Sequence, residues 1–113
     1  TVRAKEKAEA DQLLKDVKLL EELGCFAIIL EKIPASLAKR AAESVSIPVI
    51  GIGAGPDVDG QVLVTHDMLG ITKDFQPRFL RRYLELFDDI KIATKQYIND
   101  VRSGDFPNEN EQC

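Results

Sequence analysis

The stretch "CFAIILEKIP", Cys25–Pro34, decides the fold of this chain. Its apolar run from Phe26 to Leu30 is unbroken, which is typical of a parallel strand covered on both faces. The run ends in a carboxylate, Glu31, and not in a turn residue. Because ligands bind at the carboxyl ends of parallel strands, this position makes Glu31 a candidate for chemistry.

Helix and strand patterns alternate around this strand. An amphipathic helix is predicted from about Arg3 to Leu23, followed by Gly24 where a left-handed cap is favourable. Pro34 suits the first turn of a second helix, and a second apolar strand, "IPVIGIG", follows. This order predicts right-handed crossovers and a parallel sheet. The buried helix faces are predicted to contain Leu13, Leu14, Val17, Leu20, Leu23, Leu37, Ala38, Ala41, Ala42 and Val45.

The second half of the chain has weaker patterns. We predict a short helix from Gly60 to Thr65, a brief third strand from Met68 to Ile71, and helices over 77–87 and 89–101. The segment 103–113 predicts an irregular tail. Two strong strands and one weak strand cannot close a barrel, and the chain begins without Met in a helical pattern. We therefore expect the C-terminal half of an α/β barrel or of a doubly wound domain.

Charge and cysteine content restrict the partners and the compartment. The 113 residues have a net charge of −4, which argues against nucleic acid or an anionic membrane as a main partner. The two cysteines form no CxxC pair, which favours reduced thiols in a cytoplasmic protein. No apolar run approaches the roughly 18 residues of a membrane span, and no signal peptide is visible in these residues.

Two alternatives remain open for Glu31 from the residues alone. A carboxylate at the end of a buried strand loses solvation, which suits a proton acceptor near neutral pH. The other interpretation is that Glu31 pairs with Lys32 or an arginine and closes the strand. The single histidine, His66, precedes Asp67, and such a pair is more often structural than a catalytic dyad or a metal site.

The glycine-rich segment "GIGAG", Gly51–Gly55, follows the second strand at the same predicted edge. Glycines there allow close backbone approach and expose amide donors to an anion. The pattern is not GxGxxG, because Pro56 and Asp57 occupy the place where a helix should begin, so a dinucleotide site is disfavoured. A plain tight turn is an equally good interpretation. We interpret Asp57 and Asp59 as loop caps or solvated turn residues.

Two further features favour ordinary structure over chemistry. The residues Arg81 and Arg82 are predicted to lie on the solvated side of a helix. A serine hydrolase is not supported, because the chain has no GxSxG motif.

Several separate motifs in one order resemble the C-terminal half of the ketopantoate hydroxymethyltransferases. They are "LEKIP", "LAKR", "IPVIGIGAG", "DGQVLV", "HD" and "LGIT". The likeness extends from Thr1 into the tail. It implies the C-terminal portion of a (β/α)8 TIM barrel of the phosphoenolpyruvate/pyruvate type, with about three strands and flanking helices. Residues 1–102 would belong to this barrel domain and residues 103–113 to the tail.

The resemblance also implies a function. Enzymes of this family are cytoplasmic, homo-oligomeric and Mg²⁺-dependent. They transfer a hydroxymethyl group from 5,10-methylenetetrahydrofolate to 3-methyl-2-oxobutanoate, giving 2-dehydropantoate for pantothenate and coenzyme A synthesis. Glu31 matches the glutamate that serves as proton acceptor. The metal ligands are expected in the N-terminal half, with none in this chain, and Gly53, Gly55 and Asp59 are candidates for contacts to the folate.

Two other functions remain as alternatives. One is another metal-dependent, enolate-forming barrel enzyme, a lyase or mutase acting on a pyruvate-like acid. The other is a non-enzymatic half-barrel that serves in assembly. In every case we expect the isolated chain to be inactive and to depend on oligomerisation or on association with the N-terminal half.

Overall fold

The computed structural model describes residues 1–113, which form two compact units, Thr1–Leu63 and Val64–Cys113. The first unit contains α1 (Lys7–Glu22), β1 (Ile28–Glu31), α2 (Ala35–Ser44), β2 (Val49–Ile52) and β3 (Gly60–Gln61). The second contains α3 (Thr65–Met68) and α4 (Leu86–Ser103). The chain is therefore α/β, and its sheet lies in the first unit.

The sheet has three parallel strands in the order β1-β2-β3. Glu31 at the end of β1 lies in register with Ile52 at the end of β2, and Gly51 lies in register with Gln61. The predicted parallel sheet is confirmed, with α2 in the crossover from β1 to β2, but no helix lies between β2 and β3. The strand β1 is an edge strand, with β2 as its single neighbour.

The two faces of the sheet differ in burial. On one face Ile28, Leu30 and Val49 form a core with α1 and α2. On the other face the side chain of Ile29 is 65% exposed and Glu31 is exposed as well. The prediction that this strand is covered on both faces is therefore wrong for this chain. The reason is that the helices of the first unit pack on one face of the sheet alone. The other face, which contains Ile29 and Glu31, is called the open face below.

Helix α1 begins at Lys7 and not at Arg3 as predicted. The preceding residues form long-range or non-helical bonds instead: the Arg3 N–H donates to the Lys32 carbonyl at 2.8 Å, and the Ala4 N–H donates to Glu9 Oε2 at 2.9 Å. Ala4 itself is buried, with φ at +54°. The start of the chain therefore lies against the end of β1.

The predicted helix faces are confirmed in part. Pro34 precedes α2, and its carbonyl accepts the Ala38 N–H at 3.0 Å, as expected at a helix start. Leu37, Ala38 and Ala41 are buried, but on α1 only Val17 is buried. The remaining predicted positions are half-buried or exposed: Leu13, Leu14, Leu20, Leu23, Ala42 and Val45.

The end of α1 is joined to the loop before β2 by a carboxylate. Glu21 Oε1 accepts the Ser46 hydroxyl at 2.6 Å and the Ser46 N–H at 2.7 Å. These two bonds, the hydroxyl bond first, favour the ionised form and lower the pKa of Glu21. Any stability from this contact is present above the unfolded pKa and is lost as the pH falls through the lowered folded pKa.

The strand β3 follows β2 at a place where the sequence pattern predicted a helix. The expected helix from Gly60 to Thr65 is wrong, because Gly60 and Gln61 pair with β2. The expected strand from Met68 to Ile71 is also wrong, since Thr65–Met68 is the short helix α3. A two-residue strand is set by its pairing with a neighbour and leaves no periodic pattern.

The predicted helix over 77–87 is not formed. Within this segment the Tyr83 N–H donates to the Met68 carbonyl at 2.8 Å, and the Leu86 N–H donates to the Leu69 carbonyl at 3.0 Å. These donors would bond to carbonyls four residues earlier in a helix, so the bonds to the end of α3 replace helical ones. A single helix, α4, follows and contains the predicted helix over 89–101; it ends at Ser103 and is capped by Gly104, whose φ is +79°.

Arg82 holds a loop of the second unit together and does not lie on a solvated helix face as predicted. Its Nη2 donates to the carbonyls of Thr72, Lys73 and Phe75 at 2.8, 2.6 and 3.3 Å. Arg81 is exposed. The irregular tail was predicted over 103–113; residues 104–113 contain no helix or strand, whereas Ser103 is the last residue of α4. Both cysteines are free. No helix combines the length and the apolar character needed to cross a bilayer.

Candidate functional site

The carboxyl ends of β1 and β2 meet at one edge of the sheet. Glu31 and Ile52 are in register there, and the Lys32 N–H donates to the Ile52 carbonyl at 2.9 Å. The loops that follow the two strands start from this edge. It is the edge where parallel sheets bind ligands, so Glu31 occupies the position that the sequence predicted.

The Glu31 carboxylate is accessible and paired. Its side chain is 59% exposed, and Lys32 Nζ lies 3.9 Å from Glu31 Oε1. The loss of solvation expected at the end of a buried strand is therefore wrong for this chain, because Glu31 projects from the open face. The pairing with Lys32 is confirmed. A carboxylate in this position can accept a proton from a molecule bound on the open face.

Lys32 was not recognised from the sequence as a residue of special conformation. Its φ is +52°, in the left-handed region that glycine favours and lysine rarely adopts. No sequence pattern marks such a residue, because the bonds that hold it come from distant segments.

The glycine-rich loop is explained in part by packing. Gly53 and Gly55 have φ values of +60° and +82°, which confirms the need for glycine. A Cβ at Gly55 would overlap the side chain of Ala35, the first residue of α2, and would lie 3.0 Å from its Cα. The Gly55 carbonyl also accepts Gln61 Nε2 at 2.8 Å. These contacts explain Gly55 as a residue of a tight turn that packs on the start of α2.

Asp59 lies at the amino end of β2, whereas Ile52, the residue in register with Glu31, lies at the carboxyl end of that strand. Asp59 Oδ2 accepts the N–H of Val49, the first residue of β2, at 2.8 Å, and the Asp59 N–H donates to the Val49 carbonyl at 2.9 Å. The amino end of β2 is therefore closed by Asp59. The structure places this carboxylate away from the edge that contains Glu31.

Replacement of Asp59 tests this structural role. Val49 is fully buried, so Asp59→Ala leaves a buried N–H without its acceptor and should lower the free energy of unfolding by about 1–3 kcal/mol. Asp59→Asn keeps an acceptor oxygen and should lose less than half as much. Urea unfolding of the chain gives both values. Equal losses in the two variants would contradict the role of the hydrogen bond.

The His66–Asp67 pair is not formed. Both residues lie in α3, the His66 side chain is exposed, and no hydrogen bond or ion pair joins the two side chains. The His66 carbonyl accepts the Ile71 N–H at 2.8 Å. Asp57 is exposed. No group of three or more His, Cys, Asp or Glu side chains is placed to hold a metal ion, so the residues of this chain do not fit a Mg²⁺ site.

Comparison with known proteins gives one consistent family. Residues 1–109 match the model of a family described as ketopantoate hydroxymethyltransferase. Three similar proteins are named 3-methyl-2-oxobutanoate hydroxymethyltransferase: those of Porphyromonas gingivalis (69% identical over 98% of this chain), Parabacteroides distasonis (65% over 99%) and Flavobacterium johnsoniae (62% over 99%). The chain spans 41% of the length of each of these curated relatives.

Proposed function

The chain belongs to the ketopantoate hydroxymethyltransferase family, and on that premise we propose that it forms part of an enzyme of this activity. The enzyme transfers a hydroxymethyl group from 5,10-methylenetetrahydrofolate to 3-methyl-2-oxobutanoate and yields 2-dehydropantoate, a precursor of pantothenate and coenzyme A. The support is the match of nearly the whole chain and the shared name of its relatives. Because the chain spans 41% of their length, the activity is assigned to the whole protein.

We propose that the sheet is part of a (β/α)8 barrel of the phosphoenolpyruvate/pyruvate type, with residues 1–102 in the barrel and 103–113 as a tail. Three observations support this: the strands are parallel, α1 and α2 cover one face, and β1 is an edge strand. The open face would then line the barrel interior, where packed apolar side chains are the rule. Ile29, Ile50 and Ile52 are apolar residues on that face.

Glu31 is the proposed proton acceptor, and its place at the carboxyl end of β1 on the open face carries this proposal. The C3–H bond of 3-methyl-2-oxobutanoate is acidified by the adjacent ketone, because the electron pair of the broken bond delocalises onto the keto oxygen. The Glu31 carboxylate takes the C3 proton and the substrate becomes an enolate. The enolate C3 then forms the new bond to the methylene carbon of the folate. The two bonds from that carbon to the folate nitrogens break, and water supplies the hydroxyl group of the product and, with the C3 proton, the hydrogens that tetrahydrofolate gains.

This chain supplies few residues for the metal ion and the folate that the family implies. Its residues do not fit Mg²⁺, so we place any ligands in the part of the family's length outside this chain and derive no step through the metal. For the folate we propose Gly53, which follows β2 at the edge that contains Glu31. Gly55 and Asp59 have the structural contacts described above.

We further propose that the whole protein works in the cytoplasm as a homo-oligomer. Its partners would be the keto acid and the folate, without nucleic acid or membrane, in keeping with a net charge of −4. The isolated chain would be inactive. Ile29 on the open face of an edge strand supports association with further strands of the barrel.

A chimaera tests the proposed function. This chain replaces the matching segment of the Porphyromonas gingivalis relative, to which it is 69% identical. We expect the chimaera to form 2-dehydropantoate when both substrates are supplied and none when either is omitted, and we expect no product from the isolated chain. A chimaera that folds like the relative yet forms no product would contradict the proposal.

A further inference from the structure

The backbone of Lys32, directly after Glu31, is held in an uncommon conformation by two other segments. Its φ of +52° lies in the left-handed region, which a lysine adopts rarely. Its N–H donates to the Ile52 carbonyl at 2.9 Å, and its carbonyl accepts the Arg3 N–H at 2.8 Å. These bonds on both sides fix the conformation, and residues in such regions persist where the surroundings over-determine them.

This conformation has a consequence for the charge next to Glu31. Along an extended strand, successive side chains point to opposite faces, so a lysine that continued the strand would lie across the sheet from the carboxylate. The left-handed turn at Lys32 departs from that alternation. Its Nζ lies 3.9 Å from Glu31 Oε1, and no other ion pair of Glu31 forms.

We infer that Lys32 is a positioning residue for Glu31. The inference rests on the proposed role of Glu31 as proton acceptor. The ammonium group lies 3.9 Å from Glu31 Oε1 and limits the directions in which the carboxylate oxygens point. This effect acts on proton removal from C3 and leaves the binding of the keto acid unchanged. We therefore expect replacement of Lys32 to change kcat and not KM.

Three substitutions separate the charge from the backbone. Lys32→Gly accepts the left-handed conformation without steric cost and removes the ammonium group. Lys32→Ala also removes the ammonium group but keeps a Cβ at this φ. Lys32→Arg keeps a cation. If the backbone alone mattered, the glycine variant would work as well as the parent, and the arginine variant would offer no advantage over alanine.

The experiment measures exchange of the C3 proton of 3-methyl-2-oxobutanoate in deuterium oxide by the chimaera. We expect kcat for exchange to fall about two- to fivefold in the glycine and alanine variants, as for loss of a partly exposed ion pair, with KM unchanged. Lys32→Arg should restore most of the parent rate. The thermal midpoint of the glycine variant should equal or exceed that of the parent, which separates the loss of rate from unfolding.

Three results would overturn the inference. They are a parent rate in Lys32→Gly, an equal loss of rate in Lys32→Arg and Lys32→Gly, and a rise in KM at constant kcat, which would make Lys32 a substrate contact. Glu31→Gln keeps the two proposals apart. If Glu31→Gln exchanges normally, the role of Glu31 fails; if it is inactive while every Lys32 variant is normal, only the inference about Lys32 fails.

Discussion

Gly55→Ala is expected to lower the free energy of unfolding of the chain by about 3 kcal/mol. A Cβ at φ +82° carries the cost of a left-handed residue, about 1–2 kcal/mol. The same Cβ overlaps Ala35 at the start of α2, and such overpacking costs about 1–3 kcal/mol more. Because Ala35 has to move, the loop after β1 should be disturbed together with the loop after β2.

A second glycine in the same unit provides the control. Gly24 has a φ of +91°, and nothing lies within 4 Å of the Cβ that alanine would add. Gly24→Ala therefore has the conformational cost without the overlap and should lose about 1 kcal/mol. Urea unfolding of both variants gives the difference. Equal losses would show that Ala35 yields to the new methyl group at no cost.

The parts of the fold that local patterns determine were predicted correctly. The apolar runs before Glu31 and at Val49–Ile52 are local signals, and Gly24 and Pro34 mark the end and the start of neighbouring helices. Together they predict the parallel pairing of β1 and β2. The half-exposed state of this sheet was missed, because the exposure of Ile29 depends on which elements cover it and not on its own sequence.

The errors in the second unit have a common physical cause. The segment 77–87 has a helical apolar pattern, yet the N–H groups of Tyr83 and Leu86 bond to carbonyls at the end of α3. A bond between residues so far apart leaves no periodic signal. Propensity is a weak preference, and tertiary hydrogen bonds override it here.

The residues of the candidate site were likewise predicted only in part. Glu31 was identified because a charge directly after an apolar strand is visible in the sequence. Asp59 was interpreted as a loop cap or turn residue, but its partner Val49, ten residues earlier, could not be predicted from the sequence. The conformation of Lys32 depends on both Arg3 and Ile52, so it too needed the structure.

Loss of the Glu31 carboxylate is the change with the largest expected effect on chemistry. Glu31→Gln keeps the size of the side chain and cannot accept a proton, so exchange of the C3 proton should slow by about 10²- to 10⁴-fold. Exchange isolates proton removal, because it needs the keto acid alone and no folate. Glu22→Gln removes a carboxylate from the exposed side of α1 and should exchange at the parent rate.

The most direct test of the role of Glu31 follows the C3 proton of 3-methyl-2-oxobutanoate by NMR in deuterium oxide, with the chimaera and its Glu31→Gln and Glu22→Gln variants side by side. We predict that the proton signal decays with the parent chimaera and with Glu22→Gln, and persists with Glu31→Gln. Decay at the parent rate with a folded Glu31→Gln variant would contradict the assignment of Glu31 as the proton acceptor.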